Sequence, residues 1–130
     1  MTSPALPAFD AADALAAIDA LDDADLDRLD YGVIGFDADC TVRRYNATES
    51  RLASIPRAAA LGEHLFASLA QCMNNYLVAQ RYEDAWAAGV ALDATLDYVL
   101  TLRMKPTKVQ LRLLAAPQRP RRYLLLRRRT

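Results

Sequence analysis

Tyr45 and Glu49 stand four residues apart in the run Tyr45-Asn46-Ala47-Thr48-Glu49, and a cysteine, Cys72, follows further along the chain. If a helix starts at Asn46, side chains at this spacing lie near one another. A phenol and a carboxyl could then face one pocket, and a thiol reaching that pocket could hold a small molecule covalently. A carboxyl buried among apolar groups has its pKa raised and tends to keep its proton. It then donates a hydrogen bond, as a phenol does. Two donors aimed at one point stabilise an anion in a medium of low dielectric. Taken singly these residues have plainer uses. A tyrosine at a strand end is an ordinary half-buried aromatic, a glutamate in a first helical turn suits the helix dipole, and free cysteine is often a core residue.

The chain has 130 residues, 53% of them hydrophobic, which suits one domain with a true core. No apolar run approaches a membrane span of roughly 18 residues, and the N-terminus lacks the basic and apolar regions of a secretory signal. The expectation is a cytoplasmic protein, a monomer or weak dimer, without membrane association. Net charge is zero but segregated: residues 1–49 hold eleven acids and three bases, and residues 50–130 hold five acids and thirteen bases. From Arg112 to Arg129 there are seven arginines and no acid. The favoured reading is internal, an acidic N-terminal part packing near a basic C-terminal strand. A nucleic-acid surface lacks the interleaved aromatics or RNA-binding signature that would support it. Cys40 and Cys72 form no CxxC, and with a single histidine, His64, no metal site is expected.

The elements that must position the trio follow from the pattern of residues. Residues 10–21 read as a short amphipathic helix with Asp10 as its cap, and a second starts in the Asp22–Asp25 run and ends near Leu29. Gly32–Phe36 reads as a buried strand, Asp37-Ala38-Asp39 as a turn, and Thr41–Tyr45 as the returning strand. Short helices occupy 46–53 and Arg57–Leu61, the latter opened by Pro56 and stopped by Gly62. A helical or loop passage over 63–71 leads to Cys72. Asn74 or Asn75 caps a longer helix that puts Leu77, Tyr82 and Trp86 toward the core and ends at Gly89. Strands follow at Ala94–Arg103, Thr107–Ala115 and Arg121–Arg128. The order is two strands, several helices and three strands. It predicts an α+β domain: a central antiparallel five-stranded sheet with helices on one face. Residues 1–29 are expected to form an N-terminal helical cap and 30–130 the core.

This order is that of a PAS domain, and four pieces in register go further: the Gly32–Asp37 hairpin start, Tyr45-Asn46-Ala47-Thr48-Glu49, Cys72 before a long helix, and Met104-Lys105-Pro106-Thr107-Lys108. From about Leu26 to Arg128 the chain resembles the photoactive yellow protein family of blue-light receptors. The resemblance implies 4-hydroxycinnamic acid (p-coumaric acid) joined to Cys72 by a thioester, with Tyr45 and Glu49 bonded to its phenolate oxygen. It implies trans–cis isomerisation by blue light, proton transfer from Glu49, and partial unfolding that releases the cap as a signal to a downstream protein. A carboxylate left buried without a counter-ion would cost several kcal/mol, comparable to a small domain's stability. It further implies that Ala53, Ile55, Phe66, Tyr98 and Met104 surround the chromophore.

Some positions depart from the family pattern. Ala53 stands where a threonine supports the tyrosine, Ile55 where an arginine lies over the chromophore, Gln71 where a proline precedes the cysteine, and Leu100 where an aromatic follows Tyr98. These changes bear on colour and photocycle speed more than on chromophore binding. The competing reading is a PAS ligand-sensing or interaction module without photochemistry. A thiol enzyme is not expected, because Cys72 has no nucleophile motif and His64 is eight residues away.

Overall fold

The computed structural model describes residues 6–101 and 106–128. The first strand, β1 (Gly32–Phe36), pairs antiparallel with β2 (Val42–Tyr45) on one side and with β5 (Arg122–Arg128) on the other. Strand β5 pairs with β4 (Thr107–Ala115), which pairs with β3 (Leu92–Leu100), giving one antiparallel sheet in the order β2-β1-β5-β4-β3. The last three expected strands are present. The first of them runs Leu92–Leu100 rather than from Ala94 to Arg103, and residues 102–105, including Met104, lie outside the described residues.

Because side chains alternate across a strand, the sheet carries two separate cores. On one face Ile34, Leu111, Leu113, Leu124 and Leu126 pack with Tyr45, Leu65, Met73 and Tyr82. Tyr45 ends β2, and the other three belong to the connection that holds α3 (Ala47–Ala53), α4 (Arg57–Ala60), a π-helical turn at Leu65–Leu69, a 3-10 turn at Gln71–Met73 and α5 (Ala79–Ala88). On the other face Val33, Leu114, Tyr123 and Leu125 pack against Phe9, Ala14, Ile18 and Leu26. That second set comes from the N-terminal cap, α1 (Ala14–Ala20) and α2 (Asp23–Leu26).

Local chemistry sets several boundaries. Helix α1 starts at Ala14, later than Asp10 predicted, and Asp13 makes no side-chain cap bond. Asp22 does cap α2, accepting from the Asp25 N–H at 2.8 Å. Gly62 and Gly89 adopt positive φ, 87° and 67°, where the helical segments before them stop. The asparagine expected to open the long helix is Asn75, whose Oδ1 accepts from the N–H groups of Leu77 and Val78. Tyr82 is core, stacked edge-on to Phe36 at 4.9 Å. Trp86 and Leu77 are not, being 56% and 40% exposed. The helical period was right for Tyr82, but Trp86 lies on the exposed side, where Arg122 covers its ring at 5.1 Å.

The segregated charge works inside the fold, and arginines fasten the cap. Buried Arg44 donates to the carbonyls of Ile18 (3.2 Å) and Leu21 (2.6 Å), to Tyr123 Oη (3.0 Å) and to Asp23 (3.3 Å). Arg112 pairs with Asp93 and donates to the carbonyls of Phe9 and Ala11, both at 2.8 Å. Arg119 pairs with Asp19 at 3.0 Å. Guanidinium groups suit this work because a rigid fork reaches several acceptors while staying charged.

Candidate functional site

Asn46 builds the first half of the site. It is fully buried and uses its whole side-chain amide: Oδ1 accepts from the N–H groups of Val33 and Glu49, and Nδ2 donates to the carbonyls of Leu26 and Tyr31, all at 3.0 Å. The bond to Glu49 caps α3; the others lock that cap to β1 and to the chain leaving α2. Thr48 adds a 2.6 Å bond to the Leu29 carbonyl. The strand end and helix start are therefore fixed together, and Tyr45 and Glu49 are both buried, each 3% exposed.

Tyr45 and Glu49 line one small cavity, as their spacing predicted, and Ala53 and Ile55 share its wall. Leu69, Ala70 and Met73 close the opposite side, with Leu100, Ile34 and Leu126. Cys72 sits between two of those residues, partly buried against the same core. Its carbonyl is held by Tyr98, whose hydroxyl donates at 2.5 Å, and by Asn75 Nδ2 at 3.2 Å; Asn75 also donates to Tyr98 Oη at 2.7 Å. Tyr98 thus positions the Cys72 backbone. Phe66 does not line the cavity beside Tyr45; it packs deeper, against Phe36 and Tyr82. His64 is structural: its Nδ1 accepts from the Phe66 and Ala67 N–H groups.

The charge at the site differs from the sequence expectation. Glu49 has a counter-ion: Arg128 donates to both carboxyl oxygens, at 2.6 and 3.2 Å, with the two side chains 15% and 4% exposed. Burial still holds the Glu49 carboxyl above its usual range, against the pull of Arg128. The backbone also makes room for it. A Cβ on Gly32 would lie 2.1 Å from Glu49 Oε1, so glycine is what lets the carboxyl lie flat on β1. Arg128 escaped the sequence reading because it stood in a run of arginines. The available signal was the alternation Leu124, Leu126, Arg128, which puts the arginine on the pocket face of β5.

Whether these residues suit a covalently held aromatic acid can be judged from donors and space. The donors suit it: a phenol and a carboxyl whose pKa burial raises share the lining, and Cys72 lies in the chain between Ala70 and Met73, which also line the cavity. The cavity is about 10 Å³, whereas a benzene-sized guest takes on the order of 150 Å³. A ring therefore needs the 65–73 wall to stand further out. That wall is a π-helical turn followed by a 3-10 turn, two short helical forms of less regular hydrogen bonding that recur at functional hinges.

No protein-family model matches the chain. Two curated relatives, photoactive yellow proteins of Halochromatium salexigens and Rhodothalassium salexigens, are each 33% identical over 88 residues, covering 68% of this chain and 70% of theirs. Among solved structures, the photoactive yellow protein domain of the sensor histidine kinase Ppr from Rhodospirillum centenum superposes with a TM-score of 0.79. It is 33% identical, and the match covers 86% of this chain and 97% of that one. The PAS domain of an HTR-like protein from Haloarcula marismortui, at 15% identity and a TM-score of 0.59, shares the fold. A PAS sheet with a helical cap, the Tyr45–Glu49 pocket and relatives at this identity place the chain in the photoactive yellow protein family.

Proposed function

We propose that this chain is a blue-light photoreceptor that carries 4-hydroxycinnamic acid as a thioester on Cys72. The observation that carries the reading is the cavity: Tyr45 and Glu49 are buried in its lining, and Ala70 and Met73, which bracket Cys72 in the chain, line it too. The bound group would supply absorption of visible light and a double bond that isomerises. The protein's residues do the rest. Cys72 provides the acyl attachment, with its carbonyl fixed by Tyr98 and Asn75. Tyr45 and protonated Glu49 donate to an anionic oxygen, which favours the anion in a dry site. Glu49 is the proton source when that arrangement is disturbed. Ala53 and Ile55 make the wall more apolar than a threonine and an arginine would.

A second reading, a PAS interaction module without photochemistry, draws on the small cavity. One experiment separates the two. Unloaded protein is mixed with the anhydride of 4-hydroxycinnamic acid, and the visible spectrum and the intact mass of the Cys72 peptide are recorded. A yellow adduct on that peptide, absent in Cys72→Ala, supports the photoreceptor. An adduct without colour, or none, supports the interaction module.

A further inference from the structure

Arg128 is the residue whose placement the family reading leaves unused. It reaches Glu49 from β5 with both nitrogens of its fork, and both side chains are largely withdrawn from water. Among the described residues, the titratable or charged groups facing Glu49 are Tyr45 on β2 and Arg128 on β5; Ala53, Ile55, Leu69 and Ala70 are uncharged. Among the described residues the site thus brings together one positive group and one carboxyl, with a phenol beside them.

We infer that Arg128 sets the charge state of the Glu49 carboxyl, so that an anion lodged between Tyr45 and Glu49 is balanced by Arg128 while Glu49 takes up a proton. The reasoning is charge conservation in a poorly solvated site. Glu49 carboxylate with Arg128 is neutral. Adding an anion leaves one uncompensated negative charge, which is costly when buried. One proton from water, bound at a Glu49 oxygen, restores neutrality. Arg128 can keep donating to the other oxygen, leaving the new O–H to point into the cavity. In the reverse direction the carboxyl O–H bond breaks, the proton goes to the anion's oxygen, and the carboxylate is again paired by Arg128. Glu49 ionisation therefore does not produce the unpaired buried charge expected from sequence. The identity of the anion rests on the photoreceptor reading; the action of Arg128 on Glu49 does not.

The test has two arms. In unloaded protein carrying 13C at the glutamate carboxyl carbons, the Glu49 signal is assigned with Glu49→Gln and titrated by NMR. Arg128→Gln should raise the Glu49 midpoint by about 1–3 pH units, the usual effect of an opposite charge at this range. Arg128→Lys keeps the charge and loses the fork, so it should raise the midpoint less, and it answers the question alone if the glutamine variant does not fold. An unmoved midpoint in the variants that fold, or equal rises in both, overturns the inference. In the second arm the protein is loaded with 4-hydroxycinnamic anhydride and the anion's visible band is followed with pH. Arg128→Gln should move the acid loss of that band to higher pH, and an unchanged midpoint overturns the coupling. If no coloured adduct forms, the photoreceptor reading fails, and the first arm still decides the role of Arg128.

Discussion

Gly32→Ala tests how tightly the Glu49 carboxyl is held. The added methyl would lie 2.1 Å from Glu49 Oε1 and 3.1 Å from both its Cβ and Cδ. Rotating the end of the glutamate relieves the first contact only by breaking its fork with Arg128, and the Cβ contact remains. Overpacking of this kind costs about 1–3 kcal/mol, and a weakened hydrogen bond to a charged group adds about 1.5–3 kcal/mol. A total loss of about 2.5–6 kcal/mol is expected from the two effects together. Against this, alanine in a strand interior gains about 0.5–1 kcal/mol over glycine, and Gly32 is not among the positive-φ residues. The assay is urea unfolding of four proteins: wild type, Gly32→Ala, Glu49→Ala and the double variant. With Glu49 shortened to alanine, the carboxyl clash and the broken fork are gone and only the 3.1 Å Cβ contact remains, so Gly32→Ala should cost much less. The cycle should therefore show coupling of several kcal/mol, well beyond the ~0.5 kcal/mol scatter of independent sites. Equal costs of Gly32→Ala in the two backgrounds would refute the claim that the carboxyl requires this glycine.

Three further outcomes follow from the geometry. Asn46→Leu strands two backbone donors and two carbonyls that the amide serves; at about 1–3 kcal/mol for each unsatisfied group, even partial rescue by water leaves a large loss, read as a lower urea midpoint. Arg44→Met removes three bonds between the sheet and the cap, to Ile18, Leu21 and Asp23, and one to Tyr123 within the sheet, so hydrogen exchange should quicken at Leu21 and Arg28 while Leu111 and Leu124 stay protected; equal quickening throughout would contradict an independent cap. The third outcome concerns pH. A carboxyl held above its unfolded value binds protons more tightly when folded, so the stability from protonated Glu49 is complete below about 4.5 and is lost as pH rises through the raised value. Urea midpoints of wild type should therefore fall, relative to Glu49→Gln, from pH 4.5 upward, and parallel curves would show the carboxyl is not perturbed.

The parts of this fold that were legible in sequence are those set by local pattern. Alternation and turn residues located β1, β4 and β5 almost to the residue. The Ala, Leu and Glu content of residues 46–53 placed a helix there, and α3 spans Ala47–Ala53. The Tyr45–Glu49 spacing put both side chains on one cavity. What depended on distant partners was not legible. Arg128 is 79 residues from Glu49, and six other arginines share its stretch of chain. Only the sheet order, with β5 beside β1, brings it over the carboxyl. Trp86 had the right helical spacing for burial, but it is left exposed with Arg122 over its ring, a partner 36 residues away. Phe66 had the right neighbourhood, but the π-helical turn directs it behind the cavity, toward Phe36.

The pairing of Arg128 with Glu49 also gives β5 a particular place in the molecule. Adjacent residues of a strand face opposite sides. On β5, Leu124, Leu126 and Arg128 meet the pocket core, while Tyr123, Leu125 and Arg127 meet the cap. Arg127 lies over the Phe9 ring at 4.3 Å, one residue from the arginine that holds Glu49. Tyr123 bonds both Asp19 on α1, at 2.7 Å, and Arg44 on β2. A backbone shift at residues 127 and 128 is thus felt on both faces, with no intervening side chain needed. Strand β4 packs on both cores too, meeting the cap through Leu114 and Arg112, but its pocket-face contacts, at Val109, Leu111 and Leu113, are apolar and insensitive to charge. On β5 the neighbouring contacts are a guanidinium on a carboxyl and a guanidinium on a ring. The first weakens when Glu49 takes up a proton, because the ion pair becomes a hydrogen bond between a charged and a neutral group. The end of β5 is therefore where the charge of the pocket bears most directly on the cap.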